Sequence, residues 1–160
     1  MISIDKTKVS KIDLSGRGGG EKSFAPLLEG FDRVSAPLWD FQNKRTKIEL
    51  KKQRDLQWFD IGKYHNLSES NKNIIMMFVI HDGKNIEDIG TISLGRFLNI
   101  LYGDDEYRRH GWTERNVEMC HYQKRKFPSM QAKVPLKVKK FIKKYRDEFD
   151  IIFSIKNLDK

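Results

Sequence analysis

The sequence predicts an α/β (α+β) fold, a single domain with a central mixed β-sheet flanked by helices, and three observations lead there. The run Ile-Ile-Met-Met-Phe-Val-Ile at residues 74–80 is continuously apolar, as a strand covered on both faces requires. Residues 38–42 and 46–53 have strand-like composition and are joined by a polar turn, Asn43-Lys44-Arg45. Elsewhere apolar residues recur at helical spacing, as at Phe97, Leu98 and Leu101 and at Val138, Phe141, Ile142 and Tyr145. At 160 residues the chain can form one domain with a real core, and it is too short for two comfortable ones.

Taken in order, residues 1–20 read as a flexible N-terminal arm ending in Gly16-Arg17-Gly18-Gly19-Gly20. Ile2, Ile4, Val9, Ile12 and Leu14 leave a short strand open, and the segment suits either a plain linker or an arm that orders on DNA. No Gly-Lys-Ser/Thr follows the glycines, so they are not a phosphate-binding P-loop. Residues 21–160 are expected to form the domain. Residues 21–31 predict a short helix, with Phe24, Leu27, Leu28 and Phe31 on one side and Gly30 near its end. In the strand at 46–53, a side-chain period of two sends Ile48 and Leu50 to a core and Glu49 and Lys51 to the other face. If the turn pairs the two strands antiparallel, Asp40 swings to that same face. Lys52, Gln53, Arg54 and Gln57 follow as long donors and acceptors that either meet DNA phosphates and base edges or form a solvated loop.

Residues 58–67 predict a helix with Phe59, Gly62 and Tyr64 inward, where His65 is a lone surface or packing histidine. After the turn at 81–85, residues 86–92 return as a strand, and Ser93 is placed to cap a helix over 94–101. Gly103-Asp104-Asp105-Glu106 reads as a solvated acidic loop. Thr113 is expected to cap a helix through Lys126. His110, Cys120 and His121 lack the spacing of a structural zinc site. Residues 124–146 concentrate lysine and arginine around Val138, Phe141, Ile142 and Tyr145, giving a basic helix whose open face either meets phosphates or only solubilises. Residues 150–155 suit an edge strand.

Composition narrows the partners. Lysine and arginine number 31 against 22 acidic residues, a formal charge of +9 that favours a polyanion, with nucleic acid the leading candidate. No run approaches the roughly 18 apolar residues of a spanning helix, and the start lacks a signal-peptide pattern, so no membrane partner is expected. The single cysteine, Cys120, excludes an internal disulfide and fits a cytoplasmic location.

Two carboxylates and a lysine on one face suit phosphodiester hydrolysis. Asp40 and Glu49 can hold Mg²⁺, a hard cation that prefers oxygen ligands, while Lys51 orients or deprotonates the attacking water or stabilises developing negative charge. The bland alternative is an ordinary charged hairpin with all three side chains solvated.

Pro37-Leu38-Trp39-Asp40 followed by Glu49-Leu50-Lys51 resembles the active-site signature of the PD-(D/E)xK nucleases, and within them the small PvuII-like type II restriction endonucleases. Further likenesses are Gly62-Lys63-Tyr64, the apolar strand before His81-Asp82-Gly83, and Lys133-Val134-Pro135-Leu136-Lys137, so the resemblance spans residues 36 to 140. It implies a restriction-endonuclease-like fold and Mg²⁺-dependent, sequence-specific cleavage of double-stranded DNA, with Asp40, Glu49 and Lys51 catalytic. In placement, Glu21 resembles a helix glutamate that joins the metal site in some branches, and Tyr64 resembles an auxiliary active-site tyrosine. The longer segment that carries recognition histidines in PvuII-like enzymes is missing after residue 53, so the target sequence does not carry over. Cutting two antiparallel strands needs two sites, which implies a two-fold homodimer. A Holliday-junction resolvase-like nuclease and a non-catalytic basic DNA-binding module are the alternatives.

Overall fold

The apolar run at residues 74–80 lies at the middle of the molecule because its side chains alternate between two apolar layers. Ile74, Met76, Phe78 and Ile80 enter one core, Met77 and Val79 the other, and all six are at most 1% exposed. The computed structural model describes residues 2–14, 21–34, 39–53, 56–70, 73–122 and 133–157, without side-chain detail for 21, 53, 56–58, 119–122, 133 and 157.

In chain order the strands are β1 (Asp32–Arg33), β2 (Phe41–Gln42), β3 (Lys47–Gln53), β4 (Leu56–Asp60), β5 (Ile74–His81), β6 (Ile86–Ser93), β7 (Lys133–Lys137) and β8 (Asp150–Ser154). The helices are α1 (Glu21–Phe24), α2 (Ile61–Ser70), α3 (Leu94–Gly103), α4 (Asp105–Arg109), α5 (Glu114–Tyr122) and α6 (Val138–Lys144). Six strands form the central sheet in the order β1-β2-β3-β5-β6-β8, with β3 and β5 parallel and every other pair antiparallel. The predicted mixed sheet with flanking helices is thus the observed fold, in one domain. Among the described residues no helix is long and apolar enough to cross a membrane.

The parallel pair requires a crossover, and β4 with α2 supplies it. This connection sets α2 over the first core, where Ile61, Tyr64 and Leu67 are buried beside Phe78 and Phe97. Residues 58–60, expected within a helix, are instead strand: β4 pairs antiparallel with β7, Phe59 opposite Val134 and Trp58 opposite Pro135. The helix starts only at Ile61, where the Asp60 carboxylate accepts a hydrogen bond from Lys63 N at 3.2 Å, the local signal that fixes its first turn.

Three other expectations are revised. The helix expected over 21–31 stops as an α-helix at Phe24, because Pro26 has no amide hydrogen to continue the ladder; a 3₁₀ turn (Ala25–Leu27) follows, and Gly30 turns the chain at φ 85°. Residues 2–14, read as part of a flexible arm, contain a 3₁₀ helix (Lys6–Lys11), with Ile2 and Val9 buried in the second core; residues 15–20 lie outside the described residues. The acidic segment is no solvated loop. Asp104 is 3% exposed, accepts from Glu106 N and Tyr107 N to cap α4, and is bound by Lys144 Nζ at 2.7 Å and by the Tyr145 hydroxyl.

Other elements match. Ser93 caps α3 by accepting from Arg96 N at 3.3 Å, and Thr113 accepts from Asn116 N at the start of α5, whose expected extension to Lys126 lies outside the described residues. β8 is the expected edge strand. Helix α6 buries Val138, Phe141 and Ile142 as the pattern required, yet its cations are largely engaged: Lys139 with Glu87 at 2.9 Å, Lys140 with Glu106 at 3.9 Å and Lys144 with Asp104. Arg146 beyond it lies 3.7 Å from Asp88.

Candidate active site

Ile48 and Leu50 are buried in the second core, so strand periodicity turns Glu49 and Lys51 to the opposite face, beneath α2. Glu49 is therefore not a solvated side chain: it is 7% exposed. Asp40 arrives by the antiparallel hairpin, in which Phe41 faces Ile48 and Asp40 N donates to Ile48 O at 2.8 Å. Because β2 is only two residues long, Leu50 N lies beyond its ladder; the Asp40 carboxylate accepts from it at 2.8 Å. That bond fixes Asp40 next to β3. Trp39, whose indole N–H donates to Gln42 Oε1 at 3.0 Å under the Lys47 ammonium, braces the same turn.

Lys51 Nζ lies 3.5 Å from Glu49 Oε1 and 5.2 Å from the centre of the Tyr64 ring. Lys63, one residue before Tyr64, sits at the same 5.2 Å from that ring. The ring is held by stacking on Phe59, with centroids 4.5 Å apart. Tyr64 Oη is buried on the side of the Glu49 carboxylate, the acceptor that favours its protonated form. Burial first, then the charges of Glu49 and Asp40, push its pKa upward, so it stays protonated.

Electrostatics mark Glu49 as the centre of the group. Burial above all, and then charge repulsion from the adjacent Asp40 carboxylate, raise its pKa to about 7 against the opposing pull of Lys51 and Lys63. A buried carboxyl so disfavoured as an anion, with a second carboxylate beside it, is the donor pair that a divalent cation relieves. The oxygen-only donor set suits a hard cation such as Mg²⁺.

Comparison with protein families, curated proteins and solved structures finds no match to this chain.

The structure brings Asp40, Glu49 and Lys51 together as expected. It treats the expected DNA-reading residues differently. Lys52 shares the face of Ile48 and Leu50, away from Glu49, and its ammonium donates to Leu14 O at 3.2 Å, so it cannot line the same cleft as Lys51. Arg54 lies outside the described residues, as do the side chains of Gln53 and Gln57. The segment of Glu21 packs through Phe24 and Leu27 onto the second core, the face away from Glu49. Lys63 is the group that sequence reasoning gave no role. Its signal was present in Gly62-Lys63-Tyr64, but only the start of α2 at Ile61 brings residues 63 and 64 to the site together.

Asp40 has two separable duties, to hold Leu50 N and to supply charge. Asp40→Asn keeps a carbonyl acceptor for Leu50 N, so unfolding free energy should change by less than about 1 kcal/mol, while Asp40→Ala orphans that amide and should cost about 1–3 kcal/mol. Both should lower the pKa of Glu49 by removing the like charge, which an NMR titration of its carboxyl carbon will read.

Proposed function

We propose that the protein is a Mg²⁺-dependent endodeoxyribonuclease of the type II restriction kind, hydrolysing phosphodiester bonds in double-stranded DNA at a specific sequence. The observation behind this proposal is the convergence of Asp40, Glu49 and Lys51, with Glu49 buried at a pKa of about 7. The reading is further supported by the order of these residues, with Asp40 just before β2 and Glu49 and Lys51 on β3, as the resemblance to PD-(D/E)xK nucleases leads one to expect. Asp40 and Glu49 would hold the cation, whose chemistry is to neutralise charge on the scissile phosphate and make water more acidic. Lys51, beside Glu49, positions the attacking water and offsets the negative charge that grows on phosphoryl oxygens. Tyr64, kept protonated, and Lys63 offer a donor and a further cation on the same wall. The net charge of +9 supports association with a polyanion; on this reading the protein works in the cytoplasm as a two-fold homodimer, because cutting both strands of the duplex takes two sites.

Purified protein incubated with plasmid and with four-way junctions tests the proposal. Discrete linear fragments from plasmid, formed only with Mg²⁺ and lost with chelator, are expected. Cleavage confined to junctions would replace restriction by resolution at the same residues. Binding without cutting, unchanged by Glu49→Ala or Lys51→Ala, would leave a non-catalytic DNA-binding module.

A further inference from the structure

A second group of ligating atoms lies between α2 and α5. His65 is 5% exposed, and its Nδ1 is engaged by the Tyr102 hydroxyl at 2.8 Å, which fixes the ring. Its Nε2 faces Glu69 Oε1 at 3.1 Å and Glu118 Oε1 at 3.5 Å, and the three ligand atoms lie within 4.8 Å of one another. Glu69 follows His65 by one helical turn on α2, and Glu118 comes from α5.

Despite these distances, Nε2 is buried with no hydrogen-bond partner among the described residues. If Nδ1–H donates to Tyr102 Oη in the neutral ring, the Nε2 lone pair points at two carboxylates and is repelled; in the other tautomer or the imidazolium, the Nε2 hydrogen meets Glu69 Oε1 at 3.1 Å outside hydrogen-bond geometry. A cation removes the first conflict. Two ligands about 2.0–2.1 Å from a tetrahedral zinc lie about 3.3 Å apart, and 3.1 and 3.5 Å bracket that edge. The hydrogen bond on Nδ1 is the partner that a metal-bound histidine uses to set its tautomer. The side chains of Glu69 and Glu118 are 52% and 39% exposed, so the remaining coordination position opens to water and an ion can enter.

We infer that His65, Glu69 and Glu118 form a site for a divalent transition metal of the Zn²⁺ class, which ties α2 to α5. The imidazole donor separates it chemically from the all-oxygen pair at Asp40 and Glu49, and it stands whether or not that pair is catalytic. The sequence hides this group because Glu118 is far from His65-x-x-x-Glu69 in the chain and neither part matches a zinc motif.

Chelator-stripped protein is titrated with Co²⁺ and then Zn²⁺, following visible absorption, thermal unfolding and the His65 ring signals by NMR. One equivalent of Co²⁺ should give a tetrahedral spectrum that Zn²⁺ displaces, shift His65 and raise the unfolding temperature. The same result is expected for Glu49→Gln. The double variant Glu69→Gln, Glu118→Gln changes half-exposed groups and should fold, but bind at least about 100-fold more weakly, since even outer-shell losses cost 10–100-fold. The inference is overturned if wild type binds neither ion at 100-fold the protein concentration. It is equally overturned if binding survives the double variant and disappears with Glu49→Gln, or if His65 signals stay unmoved at saturation.

Discussion

Glu49→Gln is expected to abolish Mg²⁺-dependent DNA cleavage while making the metal-free protein more stable at pH 8. The loss follows from removal of the buried carboxylate that would hold the cation, and a fall of at least about 10³-fold in cleavage rate is the expected scale. The gain follows from linkage. In the folded protein Glu49 has its pKa raised from 4.5 to about 7, so between these values the folded state keeps a proton that the unfolded chain has released. Stability therefore falls as pH rises from about 4.5 to about 7, and above that range the whole cost, about 3 kcal/mol, is present. Glutamine has no such proton. In chelator, wild type and variant should be nearly equal at pH 4 and differ by that order at pH 8, read by urea denaturation. Added Mg²⁺ should stabilise wild type at pH 8 and leave the variant unchanged. A residue that served only the fold would lose stability on the same substitution; gain of stability with loss of activity is the mark of a strained functional group.

Lys51→Met is expected to lower the cleavage rate by about 10²- to 10³-fold while DNA binding in Ca²⁺ persists. Methionine fills the volume of the lysine stem beside Tyr64, so the fold should be retained. Because the Lys51 charge pulls the Glu49 pKa down, its removal should move that pKa above 7, and the pH at which a cation first binds should rise with it. Isothermal titration with Mn²⁺ across pH reads that shift. Full cleavage by the variant at pH 8 would remove Lys51 from the chemistry.

Much of this site was legible because strand periodicity is strict. Once Ile48 and Leu50 are assigned to a core, Glu49 and Lys51 must share the other face, and a short turn at residues 43–45 returns Asp40 to them. The central strand was legible for a related reason: a short run that is apolar at every position from 74 to 80 and is bounded by a turn signal suits a strand covered on both faces. What sequence could not give was what covers each face. Glu49 reads as solvated by its own strand, and its burial comes from α2, whose start at Ile61 depends on the pairing of Phe59 with Val134, far along the chain. The same limit hid Asp104, which composition marks as an exposed acid and tertiary contact with Lys144 and Tyr145 makes a buried cap. Lys52 follows Lys51 directly in the chain, which suggested a shared location, whereas alternation along β3 sends the two to opposite faces.

The most direct measurement is a crystal structure of the protein grown or soaked with Mn²⁺, using anomalous scattering to locate the ion. An anomalous peak between the Asp40 and Glu49 carboxylates, next to the Lys51 amine and absent from Glu49→Gln crystals, is the predicted result. Saturating Mn²⁺ with those carboxylates resolved and no peak between them would contradict the account.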